Sequence, residues 1–354
     1  MPRFRNLVFS FLCALCVPYA SVVNSQPLAP VEGDYKIANF KFRSGETLPE
    51  LNLHYRTYGQ AGNPAVLIMH GTGGAGSQFI REGFAGQLFG AGQLLDASKY
   101  FIVLPDDIGH GKSSKPSDGL HAKFPHYDYD DMIELEYRLV TEHLNVKHLR
   151  LVLGTSMGGM HTWLWGETYP DFMDALMPLA SLPVQIAGRN RMTRKMAMDA
   201  IRNDPQWKNG EYTSQPLQGL TTAIYVLMWM GSSPLQYQKN YPTRDAADKY
   251  VEDQVRTRLR TTDANDLLYQ FDSSRNYNPQ PKLESIKAKL IAVNSADDQV
   301  NPPEQGILER EIKRVPNGRA VVLPISDETR GHGSHTIPGL WKQYLAELLE
   351  SPKR

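Results

Sequence analysis

Cysteine is all but missing. The chain has two, Cys13 and Cys16, both inside the opening stretch "MPRFRNLVFSFLCALCVPYASVVNSQ", so beyond it no thiol is available as nucleophile, metal ligand or disulfide partner. Charge of one sign is missing as well. Lys plus Arg and Asp plus Glu each number 38, which leaves no surplus to draw nucleic acid or an acidic membrane surface. The first apolar run, Leu7 to Val17, falls short of the roughly 20 residues that span a bilayer. No internal repeat or low-complexity tract interrupts the 354 residues, a length that suits one large domain carrying an insertion, or two domains.

The opening stretch places Arg3 and Arg5 ahead of the apolar run, Pro18 after it, and small and polar residues beyond. That order is the pattern of a secretory signal, with cleavage expected near Ser25 after Val23, and it predicts a secreted or periplasmic protein. An uncleaved anchor is the less favoured reading. A lipid attachment at Cys16 is weaker still, because "CALC" lacks the small-residue context.

Past residue 25 the pattern alternates. Strand-like runs recur at "YKIANFKF", "NLHYRTYG", "AVLIMH" (65–70), "YFIVLP" (100–105), "LRLVLG" (149–154), "ALMPLA" (175–180), "KLIAVN" (289–294) and "AVVLPI" (320–325). The central runs are continuously apolar, as strands covered on both faces must be. Helical patterns lie between them, among them "DDMIELEYRLVTEHL" (130–144) and "PGLWKQYLAELLE" (338–350), which starts on Pro338. The expected fold is α/β, a mostly parallel doubly wound sheet with an antiparallel amino-terminal edge. From about Leu182 to Leu283 no buried strand is visible, and this segment is expected to form a helical cap over the carboxyl ends of the strands. The core is then 26–181 and 284–354, with the cap at 182–283.

One junction carries chemistry. "GTSMG" (154–158) fits G-x-S-x-G, a tight strand-to-helix turn that tolerates no bulk beside the serine and lifts its hydroxyl above the sheet. The bare pattern is weak, but "LRLVL" precedes it and the helical "GGMHTWLWGETYP" follows it. A serine hydroxyl needs a base, and the base an orienting acid, in the chain order Ser, Asp or Glu, His. After "KLIAVN" stand Asp297 and Asp298; after "AVVLPI" stand His332 and His335. Asp298, four residues before Pro302, is the expected acid and Asp297 a neighbour in the turn. His332, directly after Gly331, is the expected base, with His335 a polar residue at the helix entry. The backbone N–H groups of Met157 and of Thr72, in "HGTGG" (70–74), are the expected oxyanion donors. "HGTGGAGS" lacks the lysine of a phosphate-binding loop.

With "GTSMGGM", the stretches "HYRTYG" (54–59), "FPHYDYDDMIELEYRLVTEHL" (124–144), "YPDFMDALMPLAS" (169–181), "MAMDAIRNDPQWKNGEY" (196–212) and "DQVNPPE" (298–304) resemble the α/β-hydrolase superfamily, and within it the homoserine O-acetyltransferase group. The resemblance implies Ser156 as nucleophile, Asp298 as acid and His332 as base. It also implies an arginine for the homoserine carboxylate shortly before an "AI" pair, where this chain has Met198. "LPDDIGHGKSSKPSDGL" (104–120) is closer to the D-x-x-G-H-G-x-S of esterase-like hydrolases, with Asp106 and His110 expected to brace the loop. Export separates the chain from cytoplasmic acetyl-CoA and favours hydrolysis of an ester or related acyl bond, with acyl transfer to a homoserine-like acceptor as the alternative and a non-catalytic binding protein third. No cofactor and no metal are called for, and His121, His126, His143 and His148 show no ligand spacing. The expected partner is a small-molecule acyl substrate, with no nucleic acid and, after signal removal, no membrane; oligomeric state is open, a homodimer included.

Overall fold

A computed structural model describes residues 29–350 and Pro352, so the expected signal segment lies outside the described residues. Among those described, eight strands form one sheet: β1 (Val31–Lys41), β2 (Thr47–Tyr58), β3 (Ala65–Met69), β4 (Phe101–Pro105), β5 (Leu149–Thr155), β6 (Met173–Leu179), β7 (Lys289–Ser295) and β8 (Gly318–Leu323). Their order is β1-β2-β4-β3-β5-β6-β7-β8. β1 and β2 run antiparallel at the edge, β2 pairs antiparallel with β4, and every later pairing is parallel. All eight expected runs are strands.

Continuous apolar runs follow from burial on both faces. Along β3, Leu67 and Met69 enter one core cluster with Trp163, Trp165 and Leu176, while Val66 and Ile68 enter the other with Leu151, Leu153 and Trp341. Successive side chains of a strand point to opposite faces, so neither face can accept a polar residue. The helices follow in chain order as α1 (Ala85–Leu88), α2 (Tyr129–Arg138), α3 (Met157–Thr168), α4 (Gly188–Arg202), α5 (Leu217–Met230), α6 (Pro234–Asn240), α7 (Arg244–Leu259), α8 (Ala264–Asp272), α9 (Ile307–Glu311) and α10 (Pro338–Leu349). Trp163 and Trp165 of α3 pack on the first face and Trp341 of α10 on the second.

α2 begins with a reciprocal cap. The Asp128 carboxylate accepts from the Asp131 N–H and Asp131 from the Asp128 N–H, which satisfies two of the orphan donors at a helix start. The helix expected through residue 144 widens after Arg138 into a π-turn at Leu139–His143, closed by Leu144 N–H on the Leu139 carbonyl. Between β6 and β7 lie α4 to α8 and no strand among the described residues. Ala197, Met198, Ile201, Leu220, Ala223, Ile224, Leu268 and Phe271 form an apolar cluster of their own there. In "TTAIYVLMWM" Ala223, Ile224 and Met228 turn inward, while Tyr225 and Trp229 remain exposed.

Three glycines let α3 touch the strands. A Cβ on Gly154 would lie 1.8 Å from the Gly158 carbonyl oxygen, one on Gly158 2.2 Å from that of Met69, and one on Gly159 2.4 Å from that of Leu179. These neighbours are backbone and cannot swing aside. Gly158→Ala is expected to destabilise by about 1–3 kcal/mol through overpacking, whereas Gly83→Ala, where nothing lies within 4 Å, is expected to change little. Urea unfolding of both variants checks this; equal effects would contradict it.

Candidate active site

Ser156 stands where β5 gives way to α3, at φ 57° and ψ −108°. This left-handed backbone is costly for a residue with a side chain and persists only when the surroundings over-determine it. Here they do. The Ser156 N–H donates to the Leu179 carbonyl at 2.9 Å and the Gly158 N–H to the His70 carbonyl at 2.9 Å, so β6 and the end of β3 both hold the turn.

Two loops meet the serine. The β8–α10 connection brings His332 Nε2 to 2.8 Å from Ser156 Oγ, and His332 Nδ1 lies 2.9 Å from Asp298 Oδ2. Asp298 is buried, and its carboxylate also accepts from the Val300 and Asn301 N–H groups and the Asn301 side chain. Burial alone would raise its pKa; the charge and hydrogen bond of His332, with the Asn301 and Val300 bonds, outweigh burial and hold the carboxyl below its ordinary range. The structure thus brings Ser156, His332 and Asp298 into one hydrogen-bonded chain. Pro302 does not itself open a helix: a short turn runs over Pro303–Gln305 and α9 starts at Ile307.

The other members of each pair do different work. His335 lies behind His332, with ring centroids 5.2 Å apart, and its carbonyl accepts from Trp341 Nε1. Burial, then the charge of His332, push its pKa down to about 3, so it stays neutral. Asp297 Oδ2 accepts from the Gly331 N–H at 2.8 Å and from the Ser233 hydroxyl at 3.0 Å.

Met157 N–H and Thr72 N–H make no hydrogen bond among the described residues, and both adjoin the elbow. Gly71 separates Thr72 from the serine so closely that a Cβ there would sit 3.3 Å from Ser156 Cβ. Two free donors beside one hydroxyl can bind an oxygen that gains negative charge. A cavity of about 810 Å³ opens from this point, lined in part by Thr72, Gln78, Thr155, Gln270 and Phe271. Asp106 accepts from Arg56 of β2 and from the Gly76 and Lys112 N–H groups, and His110 Nδ1 meets the Ile108 carbonyl, so Asp106 braces this loop against its neighbours and His110 bonds within it.

Sequence reasoning missed two buried groups. The first is Arg194 on α4, 4% exposed, with its guanidinium 5.1 Å from the Phe271 ring and bonds to the Asn190 and Ser274 oxygens. Among the described residues no carboxylate pairs with it. The buried Thr72 and Tyr129 hydroxyls have no partner in good hydrogen-bond geometry, although Arg194, Thr72 and Ser274 lie near enough to Tyr129 to ease the rise in its pKa that burial causes. In "RNRMTRK" this arginine is indistinguishable from its exposed neighbours; only the fold selects it.

The second is Asp107, Glu136 and His161, which offer one ligand atom each within 4.8 Å of one another, the one grouping among the described residues with donors for a metal ion. Burial, then the charge of Glu136, raise Asp107 to about 8, and burial raises Glu136 to about 7, so Asp107 keeps its proton at neutral pH. Glu136 also accepts from His161 Nδ1 and Trp165 Nε1.

A profile described as the alpha/beta hydrolase fold matches residues 64–335, and the chain belongs to that family. Within it the chain is 29% identical over 296 residues to homoserine O-acetyltransferase of Haemophilus influenzae, covering 73% of this chain and 81% of that protein. Its fold matches a homoserine O-acetyltransferase from Bacillus anthracis with TM-score 0.79 at 20% identity, over 92% of this chain and 99% of that one. It also matches an acetylester hydrolase from Corynebacterium glutamicum with TM-score 0.80 at 21% identity, over 91% and 96%.

A raised carboxyl binds its proton more tightly when folded, so its contribution is full below the ordinary value of 3.8 and is lost as pH climbs toward about 8. Asp107→Asn removes that loss. Its melting temperature relative to the unaltered protein is expected to rise steadily across this range; a difference independent of pH would contradict the raised Asp107 carboxyl.

Proposed function

We propose that the protein is a serine-dependent acyl-transfer enzyme. The observation that carries the reading is the continuous contact from Ser156 Oγ through the His332 ring to Asp298. His332 Nε2 takes the hydroxyl proton as Ser156 Oγ bonds to an acyl carbonyl carbon, and the carbonyl oxygen gains its charge beside the Met157 and Thr72 N–H groups. The imidazolium then gives the proton to the departing oxygen or sulfur, leaving an acyl-serine. An incoming hydroxyl, deprotonated by the same ring, completes the transfer. Asp298 holds the Nδ1 proton in place and stabilises the cationic ring.

For the acceptor, a small alcohol that carries a carboxylate is the favoured reading. The named relatives act on homoserine, and Arg194 keeps a buried cation without a carboxylate one helical turn before Met198. The clamp absent at Met198 is therefore offered from Arg194. Water as acceptor, giving ester hydrolysis, is the second reading, favoured by the Asp106–His110 loop and by the likeness to an acetylester hydrolase. The expected export, which would strengthen hydrolysis, remains a proposal.

Two measurements test this. Ser156→Ala is expected to lower turnover by something near a millionfold with the fold intact, and to abolish labelling by a fluorophosphonate; full activity in that variant would end the reading. Acetyl ester turnover with and without homoserine separates the acceptors. Acyl-homoserine in excess over free acid supports transfer, and free acid alone supports hydrolysis.

A further inference from the structure

The two adjacent carboxylates after β7 face different partners. Asp298 meets the ring of His332, whereas Asp297 meets the backbone just before it. Asp297 is 5% exposed, and every bond of its carboxylate is internal: Oδ1 accepts from the Ser295 hydroxyl at 2.5 Å, and Oδ2 from both the Gly331 N–H and the Ser233 hydroxyl. Ser233 belongs to the helical insertion, where it stands at the start of α6. One oxygen therefore ties the insertion to the residue that precedes the imidazole.

The contact is close on both sides. Gly331 has φ +58°, and a Cβ there would lie 2.9 Å from the Ser232 carbonyl oxygen and 3.2 Å from Ser233 Cβ. A second tie lies one turn further along α6, where Gln236 Nε2 donates to the Asp327 carbonyl at 2.8 Å in the same β8–α10 connection. Asp298 fixes which way the ring points. It makes no hydrogen bond to the backbone that carries the ring. The Gly331 amide is held from the other side, by Asp297 and through it the insertion, beside the loop's own bonds from Gly333 N–H to the Arg330 carbonyl and from Ser334 N–H to the Gly331 carbonyl.

We propose that Asp297 is a positioning residue that couples the place of the helical insertion to the place of His332, so that filling the cavity beneath the insertion registers at the catalytic base. The inference rests on the acyl-transfer reading. A displacement near 1 Å between a base and its nucleophile is enough for about a hundredfold loss of rate, and a bond to a buried carboxylate is strong enough to hold such a distance.

The test measures kcat and KM per active site, with sites counted by fluorophosphonate titration, in Asp297→Ala, Asp297→Asn, Ser233→Ala and the double variant Ser233→Ala/Asp297→Ala. Asp297→Ala is expected to lower kcat about a hundredfold with KM nearly unchanged. Asp297→Asn keeps an oxygen where Oδ2 sits and is expected to recover most of that loss. Ser233→Ala is expected to lower kcat about tenfold, and the double variant to be no worse than Asp297→Ala, because both changes cut the same tie. A purely structural role would lower the titre or the melting temperature and leave kcat per titrated site intact; that result in Asp297→Ala and Ser233→Ala overturns the inference. So do costs that add in the double variant. If the unaltered protein itself is not labelled at Ser156, the acyl-transfer reading falls and this inference with it, whereas labelling with indifference to Ser233 removes this inference alone.

Discussion

The left-handed turn at Ser156 is the constraint on which the rest depends. A serine at φ 57° stays there only because its amide and that of Gly158 are bonded to β6 and to the end of β3, and because Gly154, Gly158 and Gly159 permit backbone to touch backbone. The strand order follows from this need. β5 occupies the middle of the parallel ladder, with β3 and β6 on either side, so the turn at its tip is supported from both directions. Placing the same five residues on an edge strand would remove one support and let the turn relax.

Much of this was legible in the sequence. The central strands β3 to β7 announce themselves because burial on both faces favours unbroken apolar runs, and the serine turn because only glycine fits where backbones meet. The choice of Asp298 over Asp297 leans on Pro302 opening a helix, which it does not, so the contact with His332 comes from the fold and not from that spacing. The remainder was hidden for a physical reason. Whether Arg194 is buried, or Asp107 keeps its proton beside Glu136, depends on elements distant in the chain that meet only after folding. No local pattern records such a meeting. The π-turn at Leu139–His143 is of the same kind, since apolar spacing near one face is shared by helices of slightly different pitch.

The polar interior is matched unevenly. In the cluster below α3, Glu136 receives His161 and Trp165, while both Asp107 carboxylate oxygens lack a hydrogen-bond partner and Asp107 retains its proton. Around α4, Arg194 bonds to Asn190 and Ser274, while the Thr72 hydroxyl lacks a partner. Buried polar groups are usually matched, so both places carry a cost that the rest of the fold offsets.

The helical insertion occupies the stretch between β6 and β7, which lie side by side and run the same way. Parallel neighbours require a long crossover whatever its content. The frame would need to span that gap even without helices α4 to α8, and each doubling of a flexible connection adds only about 0.6 kcal/mol to its closure. The order of the ladder is thus almost indifferent to what the crossover contains, and new chemical tastes can be written into this one passage while the strands keep their places.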